Sequence, residues 1–450
     1  MAKKETHPWN WISELFESSI RPAHERKIGI EIENIGLWSD GKSLHYGTRV
    51  LKNGQTRIGA GDLLNKLKGE SDWRVIQNDN GCPLGFSTPL GKVSLEPGSQ
   101  LELSTPPLDD IPAVVENVRQ FDSILSKVSR PEGLNWAHLG LNPFDGVDEM
   151  DVIPSTRYQI MTDYLGSRGT LGTSMMRLTA SVQINLDYTS EAEAIEMLRV
   201  ALAVAPVSYA LFGNSPLSRG KFTGFLSYRR MIWQNTDPDR TGLLFEAFHP
   251  DFSFSSYAKQ IWFQPLMFAQ NTQKAFVPGQ GFSLAELNQN RIPNVLADET
   301  NQWNAIREFF TEARLKPGYV EIRSIDGLRT EDRYAATAFW VGLLYSAEAR
   351  KLAMSLLGQL TPQEREASIL EAAKNGMKSS VVGRPMKEIA RALLEAAKDT
   401  LRLRGRAEEE FLSPLDRYVT EGTNPSEILL NLFQGTWEKR TEPLVEYVSQ

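Results

Sequence analysis

Arg177-Leu178-Thr179-Ala180-Ser181-Val182-Gln183-Ile184-Asn185-Leu186-Asp187 alternates without a break, with every odd position polar and every even position apolar. Successive side chains of a strand point to opposite faces, so the stretch predicts a strand with one buried face and one that is wet or chemically occupied. Arg177, Thr179, Ser181, Gln183 and Asn185 would share that second face.

Two other segments repeat the pattern. Lys27-Ile28-Gly29-Ile30-Glu31-Ile32-Glu33 alternates apolar with acidic residues, and Tyr319-Val320-Glu321-Ile322-Arg323-Ser324-Ile325-Asp326 alternates again. Residues 92–96 and 100–104 read as short strands on either side of the Pro97-Gly98 bend. Helical spacing is expected over 9–27, ending near Arg21-Pro22, and over 62–67, 112–128 and 190–211. Beyond 330 the pattern becomes helical, over 334–357, 364–375, 385–403 and 425–433, where Ala, Leu, Glu, Arg and Lys dominate. No strand–helix–strand rhythm appears. The class is therefore α+β, with a mixed sheet-and-helix body over 1–330 and a helical C-terminal region over 331–450 in one domain.

With 450 residues, of which 41% are hydrophobic and 23% charged, the chain can bury a large core, and disordered and fibrous classes are excluded. A net charge of -7 and the lack of a basic run interleaved with aromatics exclude a phosphate-neutralising nucleic-acid surface. Cys82 is the only cysteine, which excludes an internal disulfide and cysteine-based metal sites and fits a reducing cytoplasm. The first nine residues carry no apolar region of a secretory signal. The longest apolar run, 338–345, falls short of the roughly 20 residues a membrane span needs. A soluble cytoplasmic protein is expected.

Candidate chemistry sits on the alternating strands. Glu31 and Glu33 project from one face and fit either a shared divalent cation or a solvated acidic strand, and Glu96 and Glu102 pose the same choice across their bend. Glu321 beside Arg323 can hold a metal together with a phosphoryl oxygen, because a guanidinium stays charged and donates in a planar fork. A plain surface ion pair is the alternative. Arg229, Arg230 and Trp233, followed by Arg240, set arginines beside an aromatic, as a clamp for carboxylate or phosphate or as a solvated edge. Phosphate-binding GxxxxGK[ST] and GxGxxG loops, the GxSxG elbow and the HExxH helix are all absent. The five histidines are scattered. These absences weigh against nucleophilic and zinc hydrolase chemistry and in favour of magnesium held by carboxylates with phosphoryl transfer.

Taken together, residues 29–33, 94–104, 175–187, 224–242, 319–326 and 339–345 resemble, in the same order, the glutamate–cysteine ligase family, in the branch shared by plants and many bacteria. The resemblance implies a curved, mainly antiparallel sheet forming a funnel, similar to the catalytic domain of glutamine synthetase, with flanking helices. It implies that ATP phosphorylates the side-chain carboxylate of glutamate. The amino group of cysteine then attacks the γ-glutamyl phosphate, giving γ-glutamylcysteine in the first step of glutathione synthesis. Glu31, Glu33, Glu96, Glu102 and Glu321 would be the Mg²⁺ ligands, with Gln183 where some relatives place a histidine. Arg323 would steady the transferred phosphoryl group, Arg229 with Trp233 would clamp the glutamate α-carboxylate, and Asn185 and Arg240 would contact substrate or nucleotide.

The chain also departs from that pattern. Ile32 replaces a histidine of plant relatives, and Arg177 stands one position before the basic residue of some relatives. With Cys82 alone, the redox disulfides associated with plant members cannot form. The partners expected are glutamate, cysteine and ATP, on a monomer or homodimer without nucleic acid or membrane. A ligase for a different amine, or a silent amino-acid or nucleotide binder on the same fold, are the competing readings.

Overall fold

A computed structural model describes residues 7–69, 73–79 and 82–449. Residues 1–6, where the reading of the N-terminal segment begins, lie outside the described residues, and of Cys82 only its place in a strand is described.

Nine strands build the main sheet: β1 Ile28–Trp38, β2 Arg74–Asp79, β3 Cys82–Thr88, β4 Gly91–Leu95, β5 Leu101–Ser104, β6 Leu134–Ala137, β7 Val182–Asp187, β8 Ala313–Lys316 and β9 Tyr319–Ile322. Their spatial order is β8-β9-β7-β1-β5-β4-β3-β2, with β6 beside the far end of β1. Every pairing in this sheet is antiparallel, as expected. The eleven-residue β1 organises it. Its first half lies between β7 and β5, and its last four residues pair with β6.

The alternation seen in sequence becomes two chemically opposite faces. Ile28, Ile30, Ile32, Val182, Ile184, Leu186, Val320 and Ile322 are all buried on one of them. Helices cover that face: Ile111–Ser129 lies on β1, Glu191–Phe212 on β8 and β9, and Thr330–Leu344 on β7. The helices Met386–Arg404 and Pro362–Asn375 pack behind these in turn. The Glu191–Phe212 helix is 22 residues long and apolar enough by composition to cross a membrane, yet 89% of its apolar window is buried inside the protein. Glu196 and Arg199 divide its apolar sequence, so no unbroken apolar run of membrane-spanning length marks it.

The strand expected over 177–187 begins only at Val182. Residues Gly172–Leu178 are helical, and the Thr179 hydroxyl donates to the Met175 carbonyl at 2.7 Å as that helix ends. Arg177 is therefore not on the polar face, and its guanidinium donates to the carbonyls of Val147 at 3.1 Å and Met150 at 3.3 Å. The helix expected over 334–357 is two helices, because Ser346 caps the second by accepting from the Ala349 amide. The helices Ser413–Glu421 and Thr441–Val448 fall within the helical region expected over 331–450, whereas Thr156–Arg168, Phe254–Phe263 and Glu299–Arg307 were not anticipated.

Candidate active site

Register brings the acidic residues together. Glu31 stands opposite Gln183, Glu33 opposite Glu102, Glu102 opposite Ser94, Glu321 opposite Asn185, and Arg314 opposite Glu321. Directly opposed residues share a face, so six strands present one polar row. Glu96, two residues beyond Ser94, joins the row where the chain turns back, since its amide donates to the Gln100 carbonyl at 2.9 Å. That turn needs Gly98: a Cβ there would stand 2.2 Å from the Arg177 carbonyl oxygen.

A cavity of about 180 Å³ opens on this face. Of the residues singled out from sequence, Glu31, Glu33, Glu96, Glu102, Gln183, Trp233 and Arg323 line it. Asn185, Glu321 and Arg229 do not line it but hold its walls. Asn185 donates to Glu31 at 2.9 Å, and Arg229 donates to the Arg323 carbonyl at 3.2 Å. Glu321 receives Arg323 at 2.6 Å and Arg314 at 2.7 Å. Trp233 lies beneath both guanidiniums, 5.3 Å from Arg323 and 5.7 Å from Arg229.

Arg240 is elsewhere. Its guanidinium is buried between Asp237 at 2.6 Å and Glu308 at 3.2 Å, and it also donates to the Tyr164 hydroxyl at 3.0 Å. Conversely, Arg314 was not singled out although it lines the cavity and grips Glu321. Its signal was present in the alternation of 313–316 before the Pro317-Gly318 turn, which pairs with the strand carrying Glu321.

The carboxylates divide electrostatically into two groups. Burial, and then repulsion from neighbouring carboxylates, pushes Glu31, Glu33 and Glu102 each up to about 7, and Glu96 is raised by burial and by Glu33. Glu321 is the opposite case. Burial pushes it up, but Arg314, Arg323 and Lys316 together outweigh that and bring it down to about 2. One end of the cavity thus has an excess of carboxylate oxygens, and the other is rich in fixed guanidinium charge.

Hard, crowded oxygens suit a hard divalent cation. Among the described residues no group of three or more His, Cys, Asp or Glu is already arranged as a metal cage. Mg²⁺ is usually held by one or two carboxylates, with water and phosphate oxygens filling the rest, so pairs such as Glu33 with Glu102 meet its needs. The Arg229 Nε and Trp233 Nε1 donors are buried without an acceptor, which fits a ligand carboxylate beside them.

The chain is similar to known proteins over most of its length. The family model described as glutamate–cysteine ligase family 2 (GCS2) matches residues 62–447. A chloroplastic glutamate–cysteine ligase of Arabidopsis thaliana is 34% identical over 388 residues, covering 86% of this chain and 74% of that protein. Chloroplastic glutamate–cysteine ligase B of japonica rice is 32% identical over 432 residues, covering 95% and 84%. Among solved structures, a glutamate–cysteine ligase of Francisella tularensis in complex with AMP superposes with a TM-score of 0.56 at 13% identity, over 94% of this chain and 88% of that one.

These relatives overturn the expected cytoplasmic location, since they are named as chloroplastic. The physical reason is that a single cysteine speaks of redox environment rather than of compartment.

Proposed function

The chain belongs to glutamate–cysteine ligase family 2, and from that premise we propose that its acidic cavity joins glutamate to cysteine at the expense of ATP. The observation that carries the site assignment is the single polar row on which Glu31, Glu33, Glu96 and Glu102 face Arg323 and Arg314.

The reaction accumulates negative charge. A triphosphate must approach the γ-carboxylate of glutamate, and phosphoryl transfer spreads charge over oxygens that need fixed positive partners. Arg323, anchored by Glu321 and laid over Trp233, is poised to hold the transferred phosphoryl group. Arg314 fixes Glu321 from the other side. Arg229, with an unpaired Nε, binds the α-carboxylate of glutamate, and Trp233 walls that end. Glu31, Glu33, Glu96, Glu102 and Glu321, with Gln183 among them, are the residues that would hold Mg²⁺. The cation, when bound, neutralises triphosphate and carboxylate charge. The amino group of cysteine then attacks the γ-glutamyl phosphate and releases phosphate.

ADP release with glutamate plus a panel of amines tests the reading. Cysteine is expected to accelerate it most, and acceleration by another amine but not by cysteine would contradict it. Arg229→Lys is expected to raise KM for glutamate by about 10- to 100-fold with a smaller effect on kcat, because an ammonium cannot reproduce a two-pronged carboxylate contact. An unchanged KM would remove Arg229 from the clamp.

The raised carboxylates set a pH dependence. Glu31, Glu33 and Glu102 titrate at about 7 when folded against 4.5 as the ordinary value, so the unfolded chain loses these protons first. Their contribution to stability therefore falls as pH rises from about 4.5 to about 7. Mg²⁺ is expected to raise Tm more at about pH 7.5 than at about pH 5.5, because only the ionised cluster needs a cation. An equal rise at both, measured by thermal denaturation, would contradict the cation-holding role.

A further inference from the structure

A second cavity, about 680 Å³, lies among the helices on the far side of the sheet and shares no lining residue with the acidic one. Leu139, Tyr334, Phe411, Leu429 and Tyr447 give it an apolar and aromatic wall. Two donors in that wall, the Arg329 Nε and the His138 ring N–H, have no acceptor among the described residues.

The first is Arg329. Its guanidinium lies over the Tyr447 ring at 4.3 Å and forms no ion pair among the described residues, and its Nε is buried without an acceptor. The second is His138, which is 8% exposed. Both of its ring nitrogens face one donor, the Arg333 Nη2, at 3.1 Å and 3.2 Å. A neutral imidazole accepts at one nitrogen and donates at the other, whereas a guanidinium only donates. The imidazole N–H therefore meets a donor and has no acceptor among the described residues. Burial, and then Arg333 and Arg329, hold His138 well below its usual range, so it does not become a second cation.

The acids of this cavity leave the Arg329 Nε unmet: Asp332, whose charge is felt by Arg329, accepts the Tyr418 hydroxyl at 2.7 Å, and Glu331 and Glu410 are exposed. An oxyanion placed between Arg329 and His138 would satisfy both orphaned donors in surroundings where an unmet donor is costly.

We propose that this cavity binds a small organic anion, a carboxylate or a phosphate monoester on an apolar body, and that the anion acts as an effector of glutamate binding. The connection is short. The Asn214 side chain donates to the His138 carbonyl at 2.9 Å, the Asn214 amide donates to Asp326 at 2.8 Å, and Asp326 lies 3.8 Å from Arg229. An anion that repositions His138 acts on the chain of contacts that fixes Arg229, and linkage requires glutamate to alter anion affinity by the same factor. The binding stands on the cavity alone; the effector role also rests on Arg229 as the glutamate clamp.

The test is calorimetric titration of the full chain with benzoate, phenyl phosphate and the neutral benzyl alcohol, each with the acidic site saturated by a non-hydrolysable ATP analogue. At least one anion is expected to bind with one-to-one stoichiometry while benzyl alcohol does not, and which anion binds assigns the carboxylate or the phosphate class. Arg329→Gln is expected to weaken it about tenfold or more, Arg329→Lys to recover part of the loss, and the His138 ring resonances of the wild type to shift on binding. The occupied site is expected to change KM for glutamate about fivefold. No saturable anion binding, or equal binding by Arg329→Gln, would overturn the site. Binding with no change in KM would overturn the effector role.

Discussion

Glu321→Gln is expected to lower turnover about 10³-fold, at the upper end of what one oriented electrostatic group contributes. The reason lies in how the carboxylate is held. Arg314 and Arg323 approach the same oxygen of Glu321 at 2.7 Å and 2.6 Å, so one charge positions both guanidiniums at the phosphoryl end of the cavity. Its value of about 2 keeps it ionised across the whole working range. An amide retains the shape but removes the charge, and Arg323 loses its fixed seat over Trp233. The same change leaves two buried cations short of a partner, a loss of about 3–5 kcal/mol in stability when one member of a buried pair is removed. Turnover must therefore be measured per folded molecule, with Glu321→Asp as the variant that keeps the charge and recovers part of the rate. Near-normal turnover by folded Glu321→Gln would contradict the assignment.

Arg240→Met is expected to cost about 3–5 kcal/mol of stability while leaving KM for glutamate and for ATP unchanged in the protein that remains folded. Its guanidinium is 1% exposed and holds Asp237 and Glu308 together in the interior. Burial already pushes Glu308 up to about 7 despite the pull of Arg240. Without the arginine Glu308 stays protonated to higher pH, and its ionisation then costs more, so the loss of stability deepens as pH rises through 7. Denaturant unfolding at two pH values measures this. Full stability together with a tenfold rise in either KM would return Arg240 to the substrate site.

The contrast between these two arginines shows what was legible in the sequence. Period-2 alternation at 28–33, 182–187 and 319–322 is a direct imprint of a sheet with an apolar face set against a polar one, but over 177–181 the same pattern belongs to a helix end and the link to the strand. Strand order is not imprinted in this way. Glu33 meets Glu102 only because β1 lies between β5 and β7, and that neighbourhood depends on how the intervening segments fold back. An arginine's partner is equally hidden. Arg177 and Arg240 have the composition of substrate-binding residues, yet Arg177 ties the loop at Val147 and Met150, and Arg240 neutralises interior carboxylates. Arg314 went unnoticed because its role comes from a hairpin partner seven residues away.

Diffraction from crystals grown with Mn²⁺, glutamate and a non-hydrolysable ATP analogue, recorded at the manganese absorption edge, tests the central claim most directly. Anomalous peaks beside the carboxylates of Glu31, Glu33 and Glu102, between those side chains and the nucleotide phosphates, are the expected result. Manganese and nucleotide bound away from that sheet face, with the three carboxylates touching neither, would contradict the account.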